Sequence, residues 1–249
     1  MMEHLLEVRD LRVRFRKGRG WVCPVDGVSF SMGTKEDIAL IGASGSGKTL
    51  TAMSLLDLIR GQPGVVAGEV LFHTQGGVVS VYEGVERAYV QRESRFARTD
   101  FYTRWKGDVR KRVTGLSGVH VGVSFQHALG AQDPLWTVGE TLLESLRLRS
   151  PESSLKLHRA EAEAWLARVG IYEPRKVMKA YPHELSGGMC QRVMIASVLS
   201  MRPRLILADE PTTGLDVETK LQILSLLEEV KAEYQCRLLL VTHELGLLP

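Results

Sequence analysis

From residue 5 the chain alternates. Leu11, Val13 and Phe15 fall on one side, and Arg12, Arg14 and Arg16 on the other. A period of two predicts a half-buried strand over residues 5–15 with one basic face. Phe15 suits the core by this pattern, and its ring could equally offer a face for a base to stack on. Lys17-Gly18-Arg19-Gly20 is a turn signal, and residues 25–32 form the second strand of an antiparallel pair. Ile38-Ala39-Leu40-Ile41 is a short apolar run that suits a buried strand. Residues 50–60 contain neither Gly nor Pro and predict a helix, broken at Gly61-Gln62-Pro63-Gly64. Residues 69–81 look like a hairpin with Gly76-Gly77 at its turn. Residues 119–125 alternate again as a strand that ends in Gln126.

Asp133-Pro134 marks a turn, and Thr137-Val138-Gly139-Glu140 has the form of a capping box opening a helix to about Leu148. Residues 152–169 carry Leu155, Ala162, Trp165, Leu166 and Val169 at helical spacing. Ser186 is a good N-cap for a helix running through Ser200, with Gly187 and Gly188 leaving its start bare. Leu205-Ile206-Leu207-Ala208 is fully apolar, as in a parallel strand covered on both faces, and it ends in Asp209-Glu210. Residues 217–233 predict a helix with Leu221, Leu224, Leu226 and Leu227 toward the core. Leu238-Leu239-Leu240-Val241 is a further buried strand, ending in Thr242-His243.

Composition narrows the classes. The 249 residues suit one large domain or a domain with a subdomain. Hydrophobic content of 44% and charged content of 24% are those of an ordinary globular chain, and no apolar run is long enough to span a bilayer. A net charge of +3 does not by itself argue for nucleic acid. Cys23, Cys190 and Cys236 lie too far apart for a zinc site or a disulfide framework, which fits a reducing cytosol. The start of the chain has no basic n-region and no apolar h-region, so no signal peptide is expected. Residues 83–112 stand out, with nine Lys/Arg against five Asp/Glu and with Phe96, Phe101, Tyr102 and Trp105 interleaved. Basic residues among aromatics can bind nucleic acid; a solvated surface insertion accounts for them more simply.

The chemistry sits at the joints between these elements. Gly42-Ala43-Ser44-Gly45-Ser46-Gly47-Lys48-Thr49 reads G-x-x-x-x-G-K-[ST] between a strand and a helix. Glycines let backbone N–H groups converge on phosphate oxygens, and the helix dipole adds to them. Lys48 supplies a mobile charge for β- and γ-phosphates, and the Thr49 hydroxyl suits Mg²⁺. Asp209 and Glu210, at the carboxyl end of a parallel strand, lie where ligands bind in open α/β sheets. Asp209 is placed to hold Mg²⁺, and Glu210 to take a proton from an attacking water. His243 ends a strand on the same edge and could reach a γ-phosphate.

Together these motifs resemble the ATP-binding subunit of ABC transporters over nearly the whole chain. The lead-in Tyr181-Pro182-His183-Glu184-Leu185 to Ser186-Gly187-Gly188-Met189, followed by Gln191-Arg192-Val193-Met194-Ile195-Ala196, resembles the branch serving peptide and nickel importers. The resemblance implies an α/β fold: a P-loop NTPase core with a mostly parallel sheet, an antiparallel β subdomain and an inserted helical subdomain. It implies one ABC ATPase domain over 1–249, with core and β subdomain at 1–68, 119–126 and 201–249. A variable charged insertion would occupy 69–118, and a helical subdomain carrying the signature 127–200.

By the same resemblance Phe15 stacks on adenine, and Gly42, Ser44, Gly45, Ser46, Gly47, Lys48 and Thr49 form the phosphate loop. Gln126 is the Q-loop glutamine, touching Mg²⁺ or the attacking water. Ser186, Gly187 and Gly188 are the signature that meets the γ-phosphate held by an opposite subunit. Asp209 binds Mg²⁺, Glu210 is the catalytic base, Asp216 lies in the D-loop and His243 is the switch histidine. ATP and Mg²⁺ are then the cofactors. The partners are a second ATP-binding subunit in a head-to-tail dimer, an integral membrane permease and, indirectly, a solute-binding protein. Residues 126–140 would help form the groove for a coupling helix of the permease. The location implied is peripheral, on the cytoplasmic face of the inner membrane. Three features differ from the family pattern. Cys190 replaces the Arg usual after the signature, the 83–112 stretch is longer, and the chain given ends six residues past His243. That ending carries the expectation of an exposed sheet edge and a less supported switch loop. Two other classes stay open: a non-transport ABC-type ATPase acting on nucleic acid, and a subunit that binds ATP without hydrolysing it.

Overall fold

The computed structural model describes residues 3–18, 20–59, 63–93 and 99–243. Arg19 of the first turn, Arg60 at the expected helix end, Gly61 and Gln62 of the expected break, and Phe96 lie outside the described residues. So do the positions past His243 that bear on the sheet edge. The chain divides into two compact units at Ser117/Gly118.

In the first unit β1 (His4–Lys17) pairs antiparallel with β2 (Gly20–Gly33). After β3 (Ile38–Ile41) and α1 (Lys48–Ser54), β4 (Pro63–Thr74) pairs with the other edge of β1, and β5 (Gly77–Ser80) completes the order β2-β1-β4-β5. β4 runs through the boundary expected at residues 68 and 69. The β4–β5 hairpin pairs Thr74 with Gly77, so Gln75 and Gly76 make its turn.

The alternation along β1 changes parity in mid-strand. Leu6 and Val8 are buried at even positions, Leu11 and Val13 at odd ones. The change of parity comes from a bulge: Asp10 stands at φ 47, and the register against β4 moves from Arg9↔Glu69 to Arg12↔Ala67. Gly68 faces it at φ 98, and a Cβ there would lie 2.5 Å from the Asp10 carbonyl oxygen. Only glycine fits that approach.

Two expectations for this unit are corrected. β3 is only half-buried, with Ile41 43% exposed; a four-residue apolar run indicates a strand without fixing its burial. The helix expected over 50–60 ends at Ser54. The Ser54 hydroxyl donates to the Thr51 carbonyl at 2.7 Å, the next turns tighten to Leu55 N–H→Ala52 O and Asp57 N–H→Ser54 O, and Asp57 adopts φ 53. The charged stretch forms α2 (Val85–Glu93) and α3 (Thr99–Leu116). Trp105, Val109 and Leu116 are buried along one face of α3, while Arg104, Arg110 and Lys111 are exposed.

In the second unit β6 (Val121–Ser124) follows Val119, which is itself exposed, and α4 (Ala128–Ala131) comes next. Then α5 (Val138–Arg149) opens on the capping box of Thr137 and Glu140, α6 (Leu155–Arg168) on Ser154, and α7 (Pro174–Val177) on Glu173. One 3-10 turn, Pro182–Glu184, precedes α8 (Gly187–Ser200). β7 (Leu205–Asp209), α9 (Val217–Tyr234) and β8 (Arg237–Thr242) complete it. β6, β7 and β8 are parallel, with Val123 beside Leu207 and Leu207 beside Leu239. β7 is buried at every residue, as its apolar run implied.

The core joins these strands to α5, α6, α8 and α9 through Leu142, Leu146, Trp165, Leu166, Val193 and Leu199. Trp165 packs against Tyr234 at 6.3 Å between ring centroids. The apolar stripe of α9 is Ile223, Leu226, Leu227 and Val230, whereas Leu221 is 63% exposed and Leu224 half-buried. The expectation for Leu221 and Leu224 was wrong because the i, i+3, i+4, i+7 set starting at Ile223 buries more apolar surface than one starting at Leu221. Leu155 is likewise exposed, in the first turn of α6.

Candidate nucleotide site

In the first unit the stretch from Gly42 to Thr49 is a turn rather than a strand or helix until Lys48 begins α1. Gly45 stands at φ 79 and Gly47 at φ 97. Gly47 is the N-cap of α1, and a Cβ on it would meet the Pro24 carbonyl oxygen of β2 at 2.6 Å. Glycine is therefore required there twice, for the left-handed backbone and for the close approach. The Lys48 ammonium donates to the Gly42 and Ala43 carbonyl oxygens, 2.9 Å each, which holds its charge across the loop. Ser46 N–H donates to Ala43 O at 3.2 Å, and Thr51 secures Gly47 O through its N–H and its hydroxyl. Ser44, Gly45, Ser46 and Thr49 are exposed around this ammonium. A compact turn of small residues about a fixed cation can receive a polyphosphate. Phe15 is half-buried near the end of β1, opposite Val22, so the unit's core does not absorb its ring.

The second unit brings three of the expected residues into one cluster. Asp209, buried, ends β7, and Glu210 follows at φ 45, its N–H donating to Val241 O at 2.9 Å. A left-handed backbone at a residue with a side chain costs about 1–2 kcal/mol and is found at functional positions. One Glu210 carboxylate oxygen accepts from Gln126 Nε2 at 2.8 Å and from the Thr213 hydroxyl at 3.0 Å. The other lies 2.9 Å from His243 Nδ1. A carboxylate gripped from three sides, mostly buried beside a half-exposed imidazole, is poised to take a proton from a water placed before it. The turn that turns Glu210 back toward Gln126 is set by the backbone, since β6 and β7 are adjacent parallel strands whose carboxyl ends carry both residues.

Ser186 caps α8 by accepting from Met189 N–H at 3.3 Å. Gly188 lies against Leu215: a Cβ on it would sit 3.4 Å from Leu215 Cδ2. Ser186, Gly188, Arg192, Leu215 and Asp216 share a groove of about 520 Å³. Asp216 caps α9, one oxygen accepting from Thr219 N–H at 2.9 Å and the other from its hydroxyl at 2.8 Å, and these bonds lower its pKa.

Several positioning residues were not foreseen. Gln191, buried, donates to Pro211 O at 2.8 Å and so fixes the chain just past Glu210. The Arg192 guanidinium joins Val169 O, Gly170 O and the Thr219 hydroxyl at 3.0, 3.0 and 2.8 Å. The signal for both was two long polar side chains directly before the apolar run Val193-Met194-Ile195-Ala196 of one helix. Cys190 is a packing position. Its thiol donates to Pro182 O at 3.3 Å, it sits among Ala128, Met194, Phe125 and Leu185, and burial raises its pKa. Among the described residues no group of three or more His, Cys, Asp or Glu forms a metal centre, and no helix is long and apolar enough to cross a membrane.

A family model described as ABC transporter matches residues 25–213. The chain is 38% identical to a peptidoglycan transport ATP-binding protein of Agrobacterium fabrum, over 98% of this chain and 40% of that one. It is 34% identical to the oligopeptide transport ATP-binding protein AppD of Bacillus subtilis, over 99% and 67%. To the oligopeptide transport ATP-binding protein OppD of Salmonella typhimurium it is 35% identical, over 98% and 64%. It thus spans between two fifths and two thirds of these relatives' lengths. A solved dimeric bacterial ABC transporter cassette shares the fold, with a TM-score of 0.74 and 23% identity over 97% of this chain and 89% of that one.

Proposed function

Because the chain belongs to the ABC transporter family, we propose that it binds and hydrolyses ATP to power the import of a solute through a membrane permease. The observation that carries this reading is the grip of Gln126, Thr213 and His243 on Glu210. In the proposed step the water oxygen attacks the γ-phosphorus and Glu210 takes the water's proton. The bond to the bridging oxygen breaks, and ADP departs with that electron pair. Gln126 and His243 hold the carboxylate in the direction of attack. The phosphate loop and Lys48 hold the β- and γ-phosphates, and Phe15 supports adenine.

The donors suited to Mg²⁺ are oxygens of Thr49, Asp209 and Gln126, a hard set that fits this ion, with Asp209 a buried carboxylate at a strand end. When bound, Mg²⁺ neutralises charge on the β- and γ-phosphates. Ser186, Gly187 and Gly188 would meet the γ-phosphate held by a second subunit, head to tail, with Asp216 in the D-loop beside them. The groove that Ser186, Gly188 and Asp216 share supports that role. Residues 1–249 would then act as one ABC ATPase domain, with 127–200 as its helical subdomain, docked through residues 126–140 at the cytoplasmic face of the membrane. Relatives named for oligopeptide, peptidoglycan and glutathione transport make a peptide-like solute the first to test, and nickel the second. The nucleic-acid reading loses support because Trp105 is buried and its Nε1 donates to Glu83 O at 2.8 Å.

The test is the Mg²⁺-dependent ATPase rate against protein concentration, with Glu210→Gln as control. The expected rate climbs more steeply than linearly and falls about a hundredfold or more in the control. A wild-type rate equal to that of the control would refute hydrolysis by this cluster.

A further inference from the structure

The helix that follows the phosphate loop is short. α1 has seven residues, about 10 Å of rise, and its far end is held by groups from outside it. The Tyr82 hydroxyl, fully buried, donates to Ser54 O and lies 3.4 Å from Asp57 Oδ1. Lys106 on α3 donates to both Asp57 carboxylate oxygens at 3.0 Å. Asp57 stands in the left-handed region, in the turn that follows α1. The residues around Lys106 are anchored in turn. Trp105 Nε1 donates to Glu83 O, and Arg112 bonds Glu83 Oε2 at 3.1 Å. Both contacts tie α3 to the segment that carries Tyr82. At its near end α1 abuts β2, where Gly47 leaves no room for a Cβ before Pro24 O. The helix is thus pinned at both ends with about two turns between them.

We propose that Lys106 and Asp57 are positioning residues for nucleotide binding: the α2–α3 segment braces α1 and so sets where Lys48 and Thr49 stand. The physical ground is that α1 is too short to absorb a displacement. Releasing its far end moves its first residues, and a binding constellation works only when held to within about 0.5 Å. A surface insertion with only a solvated role would have no reason to carry a cation to the turn that ends this helix. The brace rests on the phosphate-loop reading above.

The test compares the wild-type chain with Lys106→Met, Lys106→Arg and Asp57→Asn. The affinity for a fluorescent ATP analogue with Mg²⁺ and the Tm without nucleotide are measured for each. The expected result is an affinity weaker by roughly three- to tenfold in Lys106→Met and Asp57→Asn, restored by Lys106→Arg. Lys106→Met with an unchanged affinity overturns the brace, whether or not Tm falls, because a merely structural contact moves only Tm. Lys106→Arg as weak as Lys106→Met also overturns it. If the wild-type chain fails to bind the analogue, the phosphate-loop reading fails and takes the brace with it. If the wild type binds and the variants match it, the brace alone fails.

Discussion

Gly47→Ala separates two effects that the phosphate loop combines. At φ 97 an alanine crowds its own Cβ against the backbone, at about 1 kcal/mol. Its Cβ would also lie 2.6 Å from Pro24 O, a backbone atom of β2 that cannot swing aside. Accommodating it moves either α1 or β2, at about 2 kcal/mol as for other overpacked sites. Gly45→Ala isolates the first effect, since Gly45 stands at φ 79 with nothing within 4 Å of its Cβ position. The expected costs are about 3 kcal/mol for Gly47→Ala and about 1 kcal/mol for Gly45→Ala. In a chain of this size that is roughly 6–12 °C of Tm against roughly 2–4 °C. Thermal unfolding without nucleotide, followed by circular dichroism, reads the difference directly. Equal Tm losses in the two variants would show that the approach of Gly47 to β2 does not constrain the helix.

His243→Ala removes one grip on Glu210, and the ATPase rate is expected to fall about a hundredfold while ATP affinity stays within about twofold, as separate rate and equilibrium-binding assays would show. Asp216 has a lowered pKa because Thr219 N–H and then its hydroxyl bond the carboxylate, so its cap contributes stability above the ordinary carboxylate pKa and loses it as pH falls through the lower folded value. Asp216→Ala should accordingly lower Tm at pH 7 and much less at pH 2–3, with Tm against pH as the readout. Arg192→Met leaves Val169 O, Gly170 O and the Thr219 hydroxyl without their donor and is expected to cost about 3 kcal/mol in denaturant unfolding. On α9, Ile223→Ala should cost about 2–4 kcal/mol and Leu221→Lys less than about 0.5 kcal/mol, which tests the face assigned to that helix.

The sequence by itself determined the local devices. The capping box at Thr137 and the N-cap at Ser186 follow from side chains acting on backbone within a few residues. The phosphate loop was legible for the same reason, since Gly47-Lys48-Thr49 states its chemistry wherever the chain goes next. The tertiary structure decided what depends on distant neighbours. The parity change at Asp10 needs Gly68 opposite it, and the early end of α1 is held by Tyr82 and Lys106. The rotation of α9 that exposes Leu221 is set by what its other face buries. The grip of Gln126, Thr213 and His243 on Glu210 likewise joins residues up to 117 positions apart along parallel strands whose order no local pattern states. Periodicity reports which side chains share a face, and only packing settles which face is turned inward and what meets it there.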